Sequence, residues 1–123
     1  MKNAIQNFQI PVVDFDRALQ FYNAVMGYDM QVMDFQGARM AIFKYNAKEG
    51  IGGTIIKAEW LEPSENGTLV YLQTGDDLQP FLDRVSDAGG KELFPKTALG
   101  PGMGFFGIFK DTEGNRVGLY SKN

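Results

Sequence analysis

Five side chains with hydrogen-bonding tips recur at alternate positions of short apolar runs: Asn7 and Gln9, Tyr71 and Gln73, and Tyr120. Alternation places them on one face of a strand, with Phe8, Ile10, Val70, Leu72, Val117 and Leu119 on the other. Amides and hydroxyls on an aromatic-rich face suit recognition of a small molecule by shape and hydrogen bonding. The face is uncharged, so the expected ligand is neutral or weakly polar and of aromatic size. Lys57 and Glu59 also share a face by parity. Pointing inward they would be the acid–base pair of a catalytic site; pointing outward they would be a surface ion pair. Trp60, Phe35, Met40, Met103 and Phe105 are candidates for apolar walls or for core.

Other chemistries are excluded by what the chain lacks. It contains no His and no Cys. Serine–histidine triads, thiolate nucleophiles, iron–sulfur clusters, cysteine zinc sites and imidazole metal sites are therefore unavailable. Asp14 with Asp16, and Asp76 with Asp77, stand where helices should begin, so capping explains them. Asp111 to Asn115 is too short for a calcium loop and reads as a β-turn with Gly114 at positive φ. The Gly100-Pro101-Gly102-Met103-Gly104 stretch lacks the Lys-Ser/Thr of a phosphate loop and reads as a connector. No metal site and no cofactor are expected.

These residues need elements to position them. A chain of 123 residues suits one domain, expected to span residues 1–123. Apolar residues at helical spacing predict helices over 14–26 and 77–88, with Gly27 and Gly89-Gly90 as stops. A strand is expected before each helix, over 4–12 and 68–74. Three follow each helix: 28–33, 38–45 and 53–60, then 91–94, 105–109 and 116–121. Asp14 and Gly27 recur as Asp77 and Gly90 at an offset of 63, and Ile42-Phe43-Lys44 recurs as Ile108-Phe109-Lys110 at an offset of 66. An insertion near Gly100-Pro101-Gly102 would reconcile the two. The pattern predicts an α+β fold of paired βαβββ units, about 1–62 and 66–123.

The net charge of −3, with no basic run, argues against a nucleic-acid partner. No stretch is apolar for long enough to cross a bilayer as a helix, and the amino terminus lacks the apolar block of a secretory signal. A cytoplasmic location without membrane attachment is the expectation.

The run Ile10-Pro11-Val12-Val13-Asp14-Phe15-Asp16-Arg17-Ala18-Leu19-Gln20-Phe21-Tyr22, followed by Gly27, resembles the opening of vicinal-oxygen-chelate proteins. That superfamily includes glyoxalases, extradiol dioxygenases and bleomycin-resistance proteins. The closing run Lys110-Asp111-Thr112-Glu113-Gly114-Asn115-Arg116-Val117-Gly118-Leu119-Tyr120 resembles its last turn and strand. The resemblance implies a curved mixed sheet around a cavity and, in metal-dependent members, His or Glu ligands on four strands. Those positions fall here on Asn7, near Leu69, on Gly118, and around Ile55 to Lys57. They do not supply the donors a catalytic divalent metal needs.

Three functions follow as expectations. The first is a metal-independent small-molecule-binding protein of the glyoxalase/bleomycin-resistance type. The second is a lyase, isomerase or dioxygenase with an atypical metal site. The third is an accessory module with a vestigial cavity. A homodimer is expected from the resemblance and from sheet edges that need covering.

Overall fold

The computed structural model describes residues 3–123. In chain order the elements are β1 (Phe8–Pro11), α1 (Phe15–Met26), β2 (Gln31–Phe35), β3 (Ala38–Ile42), β4 (Gly53–Lys57) and β5 (Val70–Gln73). They continue with α2 (Gln79–Asp83), β6 (Lys91–Ala98), β7 (Phe105–Lys110) and β8 (Arg116–Ser121). Two four-stranded mixed sheets result, ordered β1-β4-β3-β2 and β5-β8-β7-β6. In each, the strand before the helix pairs in parallel with the last strand of its unit, and the remaining pairs are antiparallel. The α+β fold of paired βαβββ units is the one the repeat predicts.

Helix α1 follows its apolar stripe: Phe15, Ala18, Phe21, Tyr22, Val25 and Met26 are all buried. Asp14 accepts a hydrogen bond from the Arg17 amide, and Gly27, at φ 79°, returns its own amide to the Asn23 carbonyl. The first satisfies an orphan amide, and the second uses the left-handed conformation that glycine adopts freely. Helix α2 is shorter than the expected 77–88. Asp77 accepts from the Gln79 amide two residues on, so no side chain caps the helix proper. Beyond Asp83 the bonds tighten, Arg84 to the Phe81 carbonyl and Val85 to that of Leu82, and the segment continues as turns.

The two units share one core. Ile10, Val12 and Ile55 from the first sheet meet Leu72, Val117 and Leu119 from the second, with Phe8 and Val70 packed against them. Both helices lie on this side, so the opposite face of each sheet is open. Burying one such large apolar side chain is worth roughly 1.5–3 kcal/mol.

The connections differ between the halves. Gln36 and Gly37, at φ 48° and 84°, make a tight hairpin between β2 and β3. The matching β6–β7 connection, over 99–104, is longer, and this is where the insertion suggested by the repeat offsets falls. In contrast, β7 and β8 are joined by the compact turn 111–115, whereas residues 43–52 form a longer loop between β3 and β4.

Candidate functional site

The β3–β4 loop shapes a cavity of about 560 Å³. It lies where the edge strands β1 and β5 approach each other. From the first half it takes Phe8, Tyr28, Phe43 and Tyr45, and from the second Tyr71 and Phe81. Phe8 and Phe43 stand with ring centres 5.7 Å apart, and Phe43 meets Tyr22 edge-on at 5.4 Å, which ties the aromatic wall to the core. Gln73, Thr74, Asn46 and Lys44 add polar groups. The Lys44 amide donates to the Tyr28 hydroxyl at 3.1 Å. Burial raises the Tyr28 hydroxyl's pKa, against the smaller opposing effect of that bond.

A shallower hollow of about 370 Å³ lies on the open face of the first sheet, lined by Asn7, Gln9, Met33, Met40, Ile42 and Thr54 among others. It shares Tyr45, Gly50, Gly52 and Gly53 with the larger cavity, so the β3–β4 loop is the partition between them. Among the described residues, Thr54 Oγ1 is the buried side-chain polar atom left without a hydrogen-bond partner. A group of this kind calls for a partner from water or ligand.

The five amide and hydroxyl residues thus divide. Tyr71 and Gln73 line the larger cavity, and Asn7 and Gln9 the hollow. Gln73 Oε1 accepts from the Gly75 amide at 3.0 Å, and the Tyr120 hydroxyl donates to the Met103 carbonyl at 3.0 Å, which commits Tyr120 to the β6–β7 turn. Lys57 lies on β4 two residues beyond the buried Ile55 and hence on the helix side of the sheet. It and Glu59 are both exposed, and neither borders these two cavities. Trp60, 67% exposed, forms no wall. Strands expected over 28–33 and 38–45 would carry Tyr28, Phe43 and Lys44, but β2 begins at Gln31 and β3 ends at Ile42, so these residues reach the cavity from loops, and Phe81 from α2; the aromatic cluster at 43–45 was the available signal.

Strand register locates the positions where metal-dependent members carry ligands. Tyr71 pairs with Gly118 on β8, and Gln9 holds the matching place opposite Thr54 on β4. The fourth position is therefore Thr54, adjacent to the segment expected from sequence; Ile55 points into the core instead. At Gly118 a side chain would collide with the Tyr71 ring, which covers the glycine. Asn7, Thr54, Leu69 and a covered glycine do not fit a divalent metal. Among the described residues no three His, Cys, Asp or Glu side chains cluster as a metal site would need.

Behind the site, the turn 111–115 clamps the halves together. The Tyr22 hydroxyl donates to Asp111 Oδ2 at 2.7 Å, and Asn115 Nδ2 donates to the Pro11 carbonyl at 2.7 Å. Glu113 Oε1 accepts from the Val13 and Asp14 amides, and Oε2 from Arg17 Nε at 2.8 Å. Desolvation pushes the Glu113 pKa up, yet the bonds from Arg17, Asp14, Val13 and Thr112 outweigh it and hold the carboxyl at about 2. These carboxylates are structural: Asp111 Oδ1 accepts from the Glu113 and Asn115 amides of the turn, and the other oxygens reach across to the first half.

Comparison with known proteins agrees with the fold. The model of the Glyoxalase/Bleomycin resistance protein/Dioxygenase superfamily matches residues 4–119. A glyoxylase-like domain-containing protein from Didymella fabae is 32% identical over 117 residues, covering 90% of this chain and 88% of its own. A glyoxalase/bleomycin resistance protein from Albidiferax ferrireducens T118 superposes with a TM-score of 0.74 at 14% identity, over 98% of this chain and all of the other. A mutant of glyoxalase I from Zea mays gives 0.71 at 20% identity, covering 94% of this chain, which spans only 45% of the maize protein. An antibiotic binding protein from Streptomyces sp. CB03234 gives 0.64 at 23% identity over 98% and 97% of the two chains. With the repeat, the topology and the family match in agreement, this chain belongs to the glyoxalase/bleomycin resistance protein/dioxygenase superfamily.

Proposed function

We propose that the protein binds an aromatic-sized organic molecule without a metal. The observation that carries this is the cavity of about 560 Å³, walled by aromatic rings and bordered by neither a carboxylate nor an imidazole. Its size and its mixture of rings with a few polar groups suit a small ligand. Tyr71 contributes in two ways. Its ring covers Gly118 on the open face, and it also forms part of the cavity wall. The amide of Gln73, already oriented through its oxygen by Gly75, has its nitrogen left for a ligand. That the same fold serves an antibiotic binding protein supports the reading by analogy of architecture.

The binding protein is further proposed to be a homodimer. The open faces carry Met33, Phe35, Tyr71 and Phe94, each between 43% and 57% exposed. A second copy would cover them and enclose Asn7, Gln9 and Thr54 together with the cavity mouth. Sedimentation at micromolar concentration should show a species of twice the 13.7 kDa chain mass; a monomer alone contradicts the pairing. For binding, an aromatic fragment titrated in the presence of chelator should saturate at one site per chain. Tyr71→Ala should weaken that binding by about 1–3 kcal/mol, through loss of ring contact and hydroxyl. Binding that vanishes with chelator would contradict the proposal.

A further inference from the structure

We propose that the larger cavity selects an anion: a flat aromatic molecule bearing a carboxylate or sulfonate, which sits against the rings and meets the Lys44 ammonium group. This rests on the binding reading above and adds the ligand's charge.

The chain has 15 acidic residues against 12 basic ones, yet this cavity is bordered by no acid and by a single charged residue, Lys44. Lys44 is exposed and contacts Tyr28 twice. Its amide donates to the Tyr28 hydroxyl, and its Nζ stands 5.1 Å from the centre of the same ring. That contact orients the ammonium group without neutralising it.

Among the described residues four other cations hold carboxylates, whereas Lys48, Lys57, Arg84, Lys91, Arg116 and Lys122 do not; what sets Lys44 apart is that it alone borders the cavity. Lys96 also lies over a ring, that of Phe105, but holds Asp77 at 2.8 Å. Lys110 pairs with Glu65, Arg17 with Glu113 and Arg39 with Asp34. Among the described residues no carboxylate lies within ion-pair distance of Lys44. Three N–H donors on a cation beside rings and free of acids complement an anionic group on an aromatic frame. The neutral ligand expected from sequence rests on the faces of β1, β5 and β8 alone; Lys44, expected on a strand over 38–45, instead follows the end of β3 and borders the cavity from the loop.

The experiment titrates the full-length chain, in chelator, with two probes of like shape: 1-anilinonaphthalene-8-sulfonate and its uncharged counterpart N-phenyl-1-naphthylamine. Amide shifts at Ile51, Gly52, Leu72 and Thr74 report occupancy of this cavity. The sulfonate should bind more tightly than the neutral probe. Lys44→Gln should weaken the sulfonate by about threefold to tenfold and leave the neutral probe within about twofold. Lys91→Gln, which removes the same charge from exposed β6, should leave both unchanged. Equal effects of the two substitutions on the sulfonate, or tighter binding of the neutral probe, would overturn the charge preference while leaving the cavity a binding site. If neither probe moves those amides, the binding reading itself falls, and this inference with it.

Discussion

The two halves share strand order and register but are held in different ways. In the first, α1 runs from Phe15 to Met26, is capped by Asp14, and receives the Glu113 carboxylate of the other half at its amino-terminal end. In the second, α2 spans only Gln79–Asp83 without a side-chain cap. It depends on buried Leu78, Leu82 and Val85 and on Arg84, which donates two bonds to the Val25 carbonyl. The connections before the last strands differ correspondingly. Turn 111–115 directs its polar groups into the junction, while loop 43–52 turns aromatic and polar groups toward the two cavities. A repeated topology thus leaves each copy free to specialise, one turn as clamp and its counterpart as site wall.

Removing the clamp should have the largest effect. Asp111→Ala removes the acceptor of the Tyr22 hydroxyl, of two backbone amides and of one of the two bonds from Asn115 Nδ2. Denaturant unfolding should register a loss of about 3–5 kcal/mol. Asp77→Ala, before α2 in the same half, removes a half-exposed pair with Lys96 and one bond from the Gln79 amide, and should cost far less. Comparable losses would mean that the turn anchors no better than an exposed pair.

The covered glycines give the next test. An added methyl at Gly118 meets the Tyr71 ring, and one at Gly53 meets the Phe8 ring. Gly118→Ala should cost about 1–3 kcal/mol, and much less in a Tyr71→Ala background. Additive effects in that double-mutant cycle would show that Tyr71 does not hold the position where metal-dependent relatives carry a carboxylate.

A smaller effect concerns pH. The Glu113 carboxyl, at about 2 when folded against an ordinary 4.5, contributes stability that is complete above pH 4.5 and is lost as pH falls toward 2. Once solvent screening around Arg17 is discounted, this amounts to about 1–2 kcal/mol. Glu113→Gln should remove that contribution at neutral pH and flatten the acid limb of the stability profile. An unchanged acid limb would place the pH sensitivity elsewhere.

Much of this was legible in the residues. The Asp14 cap, the Gly27 stop and the alternation of Phe8, Ile10, Val70, Leu72, Val117 and Leu119 are local signals, and they specify the strands, α1 and the buried faces. The length of α2 was not legible: Asp77 turns back on Gln79, and the following bonds tighten, outcomes that depend on packing beneath Leu82 and Val85. The site was only half legible. Parity finds Asn7, Gln9, Tyr71 and Gln73 because strands impose a period of two. It misplaces Lys44 and Tyr28, expected on strands over 38–45 and 28–33 but found beyond β3 and before β2, because their convergence depends on the path of a loop and on two halves meeting.

The most direct test of the central claim, that loop 43–52 and the facing edge of β5 form a metal-free ligand site, is an amide NMR titration with an aromatic ligand in chelator. The account predicts saturable shifts at Tyr45, Gly50, Gly52, Gly53 and Leu72, with Gly114 in the clamp turn unmoved. Shifts centred on the clamp turn, or shifts that appear only after a divalent metal is added, would contradict it.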